Sequence, residues 1–164
     1  MKKLRIISLS LSLIVIAFLL VGCTTPAYEG EPKTFTKEDL LSITLTDQFE
    51  ETTIAGTFLS AESKGFFNKV TFVASSVYNP SGLTVKYVVS ELIHQAREEG
   101  HTIIATSEEH FEFTTDADGT TMYFYDLVMK SHGKTYLFEF ACKESQKDEY
   151  RPYFIEWAST IVFD

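Results

Sequence analysis

Two acidic side chains, Asp126 and Glu139, are predicted to face each other on neighbouring strands. The prediction assumes that His132 and Gly133 form a two-residue hairpin turn, which fixes the register of the strands on either side. Like charges placed opposite each other repel unless a cation, a proton or solvent relieves the repulsion. Such a pair could bind a metal ion or act as general acid and base. The alternative, which we favour, is an exposed margin of the sheet with three lysines nearby, namely Lys130, Lys134 and Lys143.

A second set of possible metal ligands is Glu91, His94 and Glu98, which have spacings of three and four residues. In a helix these spacings place the side chains on one face, where carboxylate and imidazole ligands suit a divalent metal ion. A solvated helix face has the same pattern, and we favour that interpretation.

A third acidic segment contains Asp116, Asp118 and Gly119, which are similar to the start of a calcium-binding loop. The further acidic position and the terminal Glu that such a loop needs are missing. Because an Asp followed by a Gly is typical of a hairpin turn, we predict a turn here.

The sequence contains none of the common catalytic motifs. It lacks Gly-x-Ser-x-Gly, HExxH and CxxC, and no glycine-rich phosphate loop follows a predicted strand. Hydrolase, redox and nucleotide-dependent activities therefore have no support, and we expect a protein that is not an enzyme and has no cofactor. Tyrosines 123, 125 and 136 could line a ligand cavity, although aromatic residues more often fill the core.

Cys23 is the residue with the most specific chemical context. The residues from Leu20 to Cys23 form a bacterial lipobox, and they close an apolar run that extends from Ile6 to Val21 behind a basic start. This is the anatomy of a signal peptide, and the run is shorter than the roughly 20 residues of a membrane-spanning helix. Cleavage after Gly22 would make a diacylglycerol-bearing Cys23 the first residue of the mature protein.

Three regions follow from this interpretation: a lipoprotein signal peptide over 1–22, a lipidated tether over 23–34 and one domain over 35–164. Thr, Pro, Gly and Glu dominate the residues from Thr24 to Thr34, where Pro26, Gly30 and Pro32 disfavour regular structure. About eleven such residues reach at most roughly 35 to 40 Å when extended.

The mature chain is strongly acidic. The whole chain has 14 Lys and Arg against 23 Asp and Glu, a formal charge of -9, and the leader removes three bases but no acid, which gives -12. Nucleic acid is therefore excluded as a partner, since binding it depends on Lys and Arg. Cys142 is the second of two cysteines and has no intramolecular partner if Cys23 is acylated, so we interpret it as a small apolar strand residue.

The predicted elements that carry these residues are strands and two helices. Alternating apolar residues predict strands over 41–45, 54–60, 66–75, 101–106, 110–114, 120–130 and 135–142, with a turn at Ser63, Lys64 and Gly65. The first helix is predicted from Leu83 to Glu98 and ends at Gly100. The second is predicted from about Asp148 to Thr160, with Pro152 in its first turn.

Both faces of the 120–130 strand carry large apolar groups, so we expect helices on both sides of the sheet. The predicted fold is α+β, an α/β/α sandwich with a mostly antiparallel central sheet.

The C-terminal unit TYLFEFACKESQKDEYRPYFIEWASTIVF resembles bacterial lipoproteins with a PsbP-like domain. The segments SITLTDQF at 42–49 and GLTVKYVVSEL at 82–92 agree with this resemblance, which spans roughly 35–164. The resemblance implies an α/β/α sandwich and a role as a protein-binding or assembly module, and it supplies no catalytic residues.

The expected function is that of a lipoprotein on the extracytoplasmic face of the cell membrane, anchored through Cys23, whose domain binds another envelope protein without catalysis. The alternative is a lipoprotein that binds a small ligand or a metal ion. A solid core with only an exposed apolar patch would favour the first function, and a closed cavity with converging polar groups would favour the second.

Overall fold

The structure is a computed structural model that describes residues 25–64, 69–79 and 81–164. Its first five strands are β1 (Pro32–Lys37), β2 (Leu41–Thr46), β3 (Phe49–Glu51), β4 (Leu59–Ser63) and β5 (Thr71–Val77). After helix α1 (Val85–Glu98) come β6 (Thr102–Thr106), β7 (His110–Ala117), β8 (Thr120–Ser131) and β9 (Lys134–Lys143). A short 3-10 turn (Glu144–Gln146) leads into α2 (Lys147–Ala158), and β10 (Val162–Phe163) follows.

The strands form two antiparallel sheets. The larger has seven strands in the order β3-β4-β5-β9-β8-β7-β6, and the smaller has the order β1-β2-β10. Strands β8 and β9 are joined by a two-residue turn in which His132 and Gly133 both have positive φ, 49° and 74°. This turn type matches the right-handed twist of paired strands. In this strand order the two longest strands, β8 and β9, lie side by side in the interior of the large sheet.

The core has one cluster on each face of the large sheet. Alternation along β8 directs Tyr123 and Tyr125 towards α2, and Phe124 and Val128 towards α1. Helix α2 contributes Phe154 to its cluster. The prediction of an α/β/α sandwich on an antiparallel sheet is confirmed.

Helix α1 ends at Glu98 as predicted, and it begins at Val85 rather than at Leu83. Thr84 is its N-cap and accepts a hydrogen bond from Tyr87 N to its side-chain oxygen, 3.3 Å long. Gly100 lies just beyond the C-terminus with φ of 87°, a conformation that favours glycine. Val88, Val89 and Ala96 are buried and form the apolar face of the helix.

Helix α2 differs from its prediction at its N-terminus. It begins at Lys147 rather than near Asp148, so Pro152 lies in the second turn instead of the first. At that position the missing N–H removes one hydrogen bond within the helix. The burial of Tyr150, Phe154 and Trp157 against the sheet stabilises the helix despite this loss.

The N-terminal segment is packed against the domain from Ala27 onwards. Ala27 is 1% exposed, and its carbonyl accepts a hydrogen bond from Thr46 Oγ1. The ring of Tyr28 stacks on Tyr153 with 4.5 Å between centroids. A Cβ at Gly30 would meet the exposed carboxylate of Asp47, which would have to move to admit it.

The prediction of an irregular tether up to Thr34 is therefore wrong at its C-terminal end, since these contacts hold the segment and β1 already begins at Pro32. The predicted signal peptide over 1–22 and Cys23 lie outside the described residues.

The strand prediction over 54–60 is also wrong in part. Residues 52–58 form a connection with a turn in which Thr57 N donates to Ile54 O (3.2 Å), and Gly56 has φ of 84°. The strand predicted over 66–75 is β5, which covers Thr71–Val77. Of the turn predicted at Ser63, Lys64 and Gly65, Ser63 is the last residue of β4, and Gly65 lies outside the described residues. Among the residues that the structure describes, no helix is both long and apolar enough to cross a bilayer.

Candidate functional site

Asp126 and Glu139 are directly opposite each other on β8 and β9, as the hairpin register predicts. The favoured interpretation as an exposed sheet margin is wrong. Strands β8 and β9 are central in the sheet, and both side chains point to the face that α1 covers. Asp126 is only 3% exposed and Glu139 is partly buried.

The surroundings of Asp126 and Glu139 raise the pKa of both carboxyl groups. Burial, and secondarily the nearby charge of Glu139, raises the pKa of Asp126 well above its usual range. Burial also raises the pKa of Glu139 to about 7. The two carboxyl groups therefore retain protons at pH values where exposed carboxyl groups have lost them.

A cavity of about 370 Å³ lies over this pair, beneath the C-terminal half of α1. Its apolar wall is formed by Leu92, Phe111, Phe113, Phe124 and Leu137. Its polar lining includes Gln95, Glu99, His101 and Thr115 in addition to Asp126 and Glu139.

The polar groups of the cavity are incompletely paired. His101 stacks on Phe113 with 5.1 Å between centroids, and its Nε2 lies 3.3 Å from Glu99 Oε2. Asp126 Oδ1 is buried and has no hydrogen-bond partner among the residues that the structure describes. A buried carboxylate oxygen without a partner has a high desolvation cost, which a proton or a bound cation can relieve.

The second candidate set lies on the solvent face of α1, as predicted. The side chains of His94 and Glu98 are about 70% exposed, and His94 Nδ1 lies 3.6 Å from Glu98 Oε2. Glu91 is also exposed. Within residues 25–64, 69–79 and 81–164, no three His, Cys, Asp or Glu side chains lie close enough together to hold a metal ion.

These residues instead border a groove of about 500 Å³ between α1 and the end of β5. We call it the α1 groove. Its lining includes Tyr78, Leu83, Tyr87, Glu91, His94 and Glu98. Tyr78 is 90% exposed, Tyr87 49% and Leu83 41%, so large apolar groups are gathered on one surface.

The segment with Asp116, Asp118 and Gly119 is the predicted turn. Asp118 and Gly119 have φ of 51° and 78°, and Asp116 accepts a 2.7 Å hydrogen bond from Thr121 Oγ1. The carboxylate is thus engaged within its own hairpin.

A buried ion pair on the opposite face of the sheet was not predicted from the sequence. Glu112 on β7 is 1% exposed, and Arg151 on α2 donates to both of its oxygens over distances of 2.7 to 3.1 Å. Tyr123 Oη donates to Glu112 Oε2 at 2.9 Å. Burial raises the pKa of Glu112, but the hydrogen bonds from Arg151 and Tyr123 outweigh it and hold this pKa below its usual value.

A serine and a histidine near this ion pair have a superficial likeness to a catalytic arrangement. Ser107 Oγ lies 2.6 Å from His110 Nδ1, and His110 Nε2 lies 3.7 Å from Glu112 Oε1. The serine oxygen already accepts hydrogen bonds from the backbone N–H groups of Glu109 and His110. These bonds stabilise the turn between β6 and β7, and the Glu112 carboxylate is bound by Arg151.

Cys142 and the three candidate tyrosines belong to the core on the α2 side. Tyr123, Tyr125, Tyr136 and Cys142 are all buried there. Burial raises the pKa of Cys142 to about 12, so its thiol stays protonated. The interpretation of Cys142 as an apolar strand residue agrees with this position.

The sequence matches no family model and no curated protein. The structure is similar to the solution structure of the cyanobacterial PsbP protein CyanoP from Synechocystis sp. PCC 6803, with a TM-score of 0.53 and 12% identity. The similarity covers 88% of this chain and 99% of that one. At this identity the likeness establishes the fold alone, and it confirms the predicted PsbP-like fold.

A crystal structure of a protein from Bacteroides thetaiotaomicron VPI-5482 has a TM-score of 0.48 at 12% identity and covers 82% of this chain. This chain spans about half of that protein, 49% of its length.

Proposed function

We propose that this chain is a lipoprotein anchored through a lipid on Cys23 to the extracytoplasmic face of the cell membrane. Its PsbP-like domain binds another envelope protein and has no catalytic role. The lipobox that ends at Cys23 supports the anchor. The observation that carries the binding role is the gathering of three exposed apolar side chains, Tyr78, Leu83 and Tyr87, around the α1 groove.

Tyrosine side chains suit a docking surface for a physical reason. Each has a large apolar ring and a hydroxyl that can remain hydrated while the surface is free. Contiguous exposed apolar groups with a polar rim mark interaction sites on soluble domains. Tyr87 lies in the first turn of α1, and the backbone of Leu83, just before the helix, is hydrogen-bonded to the side chain of Asn79.

The charge of the α1 groove favours a basic partner. Glu91 and Glu98 border it, and both lie on the exposed face of α1. The mature chain has a formal charge of -12, so a second copy would be repelled. We therefore propose that the occupant is a basic, apolar-containing segment of a protein at the same membrane.

Site-specific photocrosslinking in intact cells tests this proposal. A benzoylphenylalanine residue replaces Tyr87 in the full chain, and a second protein has it at Ile155 on α2. Ile155 is a matched control because its exposure, 43%, is close to the 49% of Tyr87. We expect one dominant adduct from position 87 and none of the same mass from position 155.

Charge reversal separates specific docking from accidental capture. With the crosslinker at position 87, Glu91→Lys together with Glu98→Lys should reduce the adduct at least tenfold, since both changes place positive charge against a basic segment. An adduct that is equally strong from position 155, or unchanged after charge reversal, would refute the proposed surface.

A second candidate function is the binding of a small ligand. The observation that favours it is that Asp126 lines a cavity and that its buried Oδ1 has no hydrogen-bond partner among the described residues.

A further inference from the structure

We propose that the cavity beneath the C-terminal half of α1 binds a small organic cation, a protonated amine on an apolar body, through the carboxylates of Asp126 and Glu139. This inference rests on the second candidate function and is independent of the α1 groove. The partner in the crosslinking experiment and the ligand proposed here contact different residues.

The acidic pair in the cavity indicates a cationic ligand. Asp126 and Glu139 lie side by side, and the other neighbours of the pair in the sheet are Phe111 and Val73. None of these neighbours is cationic, and the buried Asp126 Oδ1 has no partner in the described part of the chain. A protonated amine supplies the hydrogen-bond donors and the positive charge that this pair lacks.

The aromatic wall of the cavity indicates that the rest of the ligand is apolar. Phe113 and Phe124 stack on each other with 4.7 Å between centroids, and Phe111 stacks on Phe113 at 5.7 Å. Aromatic faces attract cations and apolar groups, and they repel anions. A hydrated divalent ion would gain little from this wall, because it prefers oxygen ligands and retains water.

The volume also suits a small molecule. At about 370 Å³ the cavity is near the lower end of the range of 300 to 1,000 Å³ that is typical of small-ligand sites. A compact amine with one ring or a short chain fits this volume.

Binding should strengthen as the pH rises. The pKa of Glu139 is raised to about 7 and that of Asp126 is raised as well, so the negative charge of the pair increases as the pH rises through 7. The other titratable groups that line the cavity are Glu99 and His101, which lie 3.3 Å apart at its rim. An amine with an ordinary pKa near 10 stays charged through this range.

Calorimetric titration of the full chain in nonionic detergent tests the proposal with phenethylammonium chloride as the probe. The neutral alcohol of the same shape, 2-phenylethanol, is the matched ligand control. We expect saturable binding of the ammonium at pH 8, binding at least tenfold weaker at pH 6, and binding of the alcohol at least tenfold weaker than that of the ammonium at pH 8.

Two variants of the cavity and one control variant complete the design. Asp126→Asn and Glu139→Gln keep the shape and remove charge, and each should weaken ammonium binding at least tenfold at pH 8. Glu156→Gln removes an exposed carboxylate from α2, on the other side of the sheet, and should leave ammonium binding unchanged. The proposal is overturned if the alcohol binds as tightly as the ammonium, if neither cavity variant weakens binding, or if no saturable heat is seen up to about 10 mM probe.

Discussion

Arg151 on α2 binds both carboxylate oxygens of Glu112 on β7, across the interface between the helix and the sheet. The sheet thus has a buried carboxylate on each face, and the two have opposite surroundings. Glu112 has a cation and the Tyr123 hydroxyl as partners, whereas Asp126 has another acid opposite it. The pKa of Glu112 is lowered and that of Asp126 is raised.

The first prediction concerns Arg151→Met. This change leaves Glu112 buried without its cation, which costs about 3 to 5 kcal/mol for a fully buried pair. Because the Arg151 side chain is 38% exposed and water can replace part of its contact, we expect a loss of about 2 to 3 kcal/mol at pH 7. Urea denaturation measures it. The loss should be smaller at pH 4, where Glu112 can take up a proton.

Two further variants are the controls for this prediction. One has Glu112→Gln alone, and the other has Glu112→Gln together with Arg151→Met. A neutral amide tolerates the absence of a cation better than a carboxylate does. The double variant should therefore be more stable than Arg151→Met alone at pH 7. Equal cost of the Arg151 change in both backgrounds would contradict an ion-pair role.

The second prediction is that stability falls as the pH rises from 5 to 8. A carboxyl group with a raised pKa binds more protons in the folded state, so its favourable contribution is complete below its ordinary pKa and is lost as the pH passes its folded value. For Glu139 this window runs from 4.5 to about 7, and Asp126 shifts in the same direction. Chemical denaturation should show a decrease on the order of 2 kcal/mol.

Glu139→Gln should remove most of this decrease and stabilise the protein at pH 8, since it removes the buried carboxyl group whose pKa sets this window and also its repulsion of Asp126. Asp116→Asn, in an exposed hairpin, should keep the wild-type profile. Glu112 has the opposite sign: its lowered pKa contributes stability above pH 4.5, and that contribution is lost in stronger acid. A wild-type profile that is flat between pH 5 and 8 would argue against the raised pKa values.

The third prediction concerns thiol reactivity. Cys142 is fully buried and its pKa is raised to about 12, so the folded protein should react with Ellman's reagent at pH 8 far more slowly than a free cysteine. In guanidinium chloride this thiol should react at once. If Cys23 is a lipid thioether, the denatured chain releases one equivalent of thiol, and two equivalents would show that Cys23 is free.

The fourth prediction concerns the anchor. Cys23→Ala removes the atom to which the lipid is attached, so the variant should incorporate no labelled fatty acid and should leave the membrane fraction. Cys142→Ala is the matched control and should keep both the label and the membrane location. Continued acylation of the Cys23 variant would show that the lipobox is not used.

The sequence predicts best where neighbouring residues decide the structure. The turn at His132 and Gly133 fixes the register of β8 and β9, and the pairing of Asp126 with Glu139 follows from it. The glycine at position 100 ends α1 in the same way. These features depend on conformational preferences within a few residues.

Other features depend on contacts between distant segments. The order of strands makes β8 and β9 central, so Asp126 is buried. Its acidic side chain alone would predict a position on the surface. Glu112 and Arg151 are separated by 39 residues, and no spacing rule joins them. The packing of Ala27 likewise depends on Thr46 and on Tyr150 in α2, which composition cannot predict.

The burial of Ala27 determines how the domain would stand on a membrane. With Cys23 acylated, the four residue steps from Cys23 to Ala27 span at most about 14 Å. Ala27 packs in the core cluster on the α2 side of the large sheet, whereas α1 and its groove lie on the other side. The domain would then be held close to the lipid at its α2 side, with the docking surface on the far side of the large sheet. A partner would be selected by the height at which it presents its basic segment as well as by its charge.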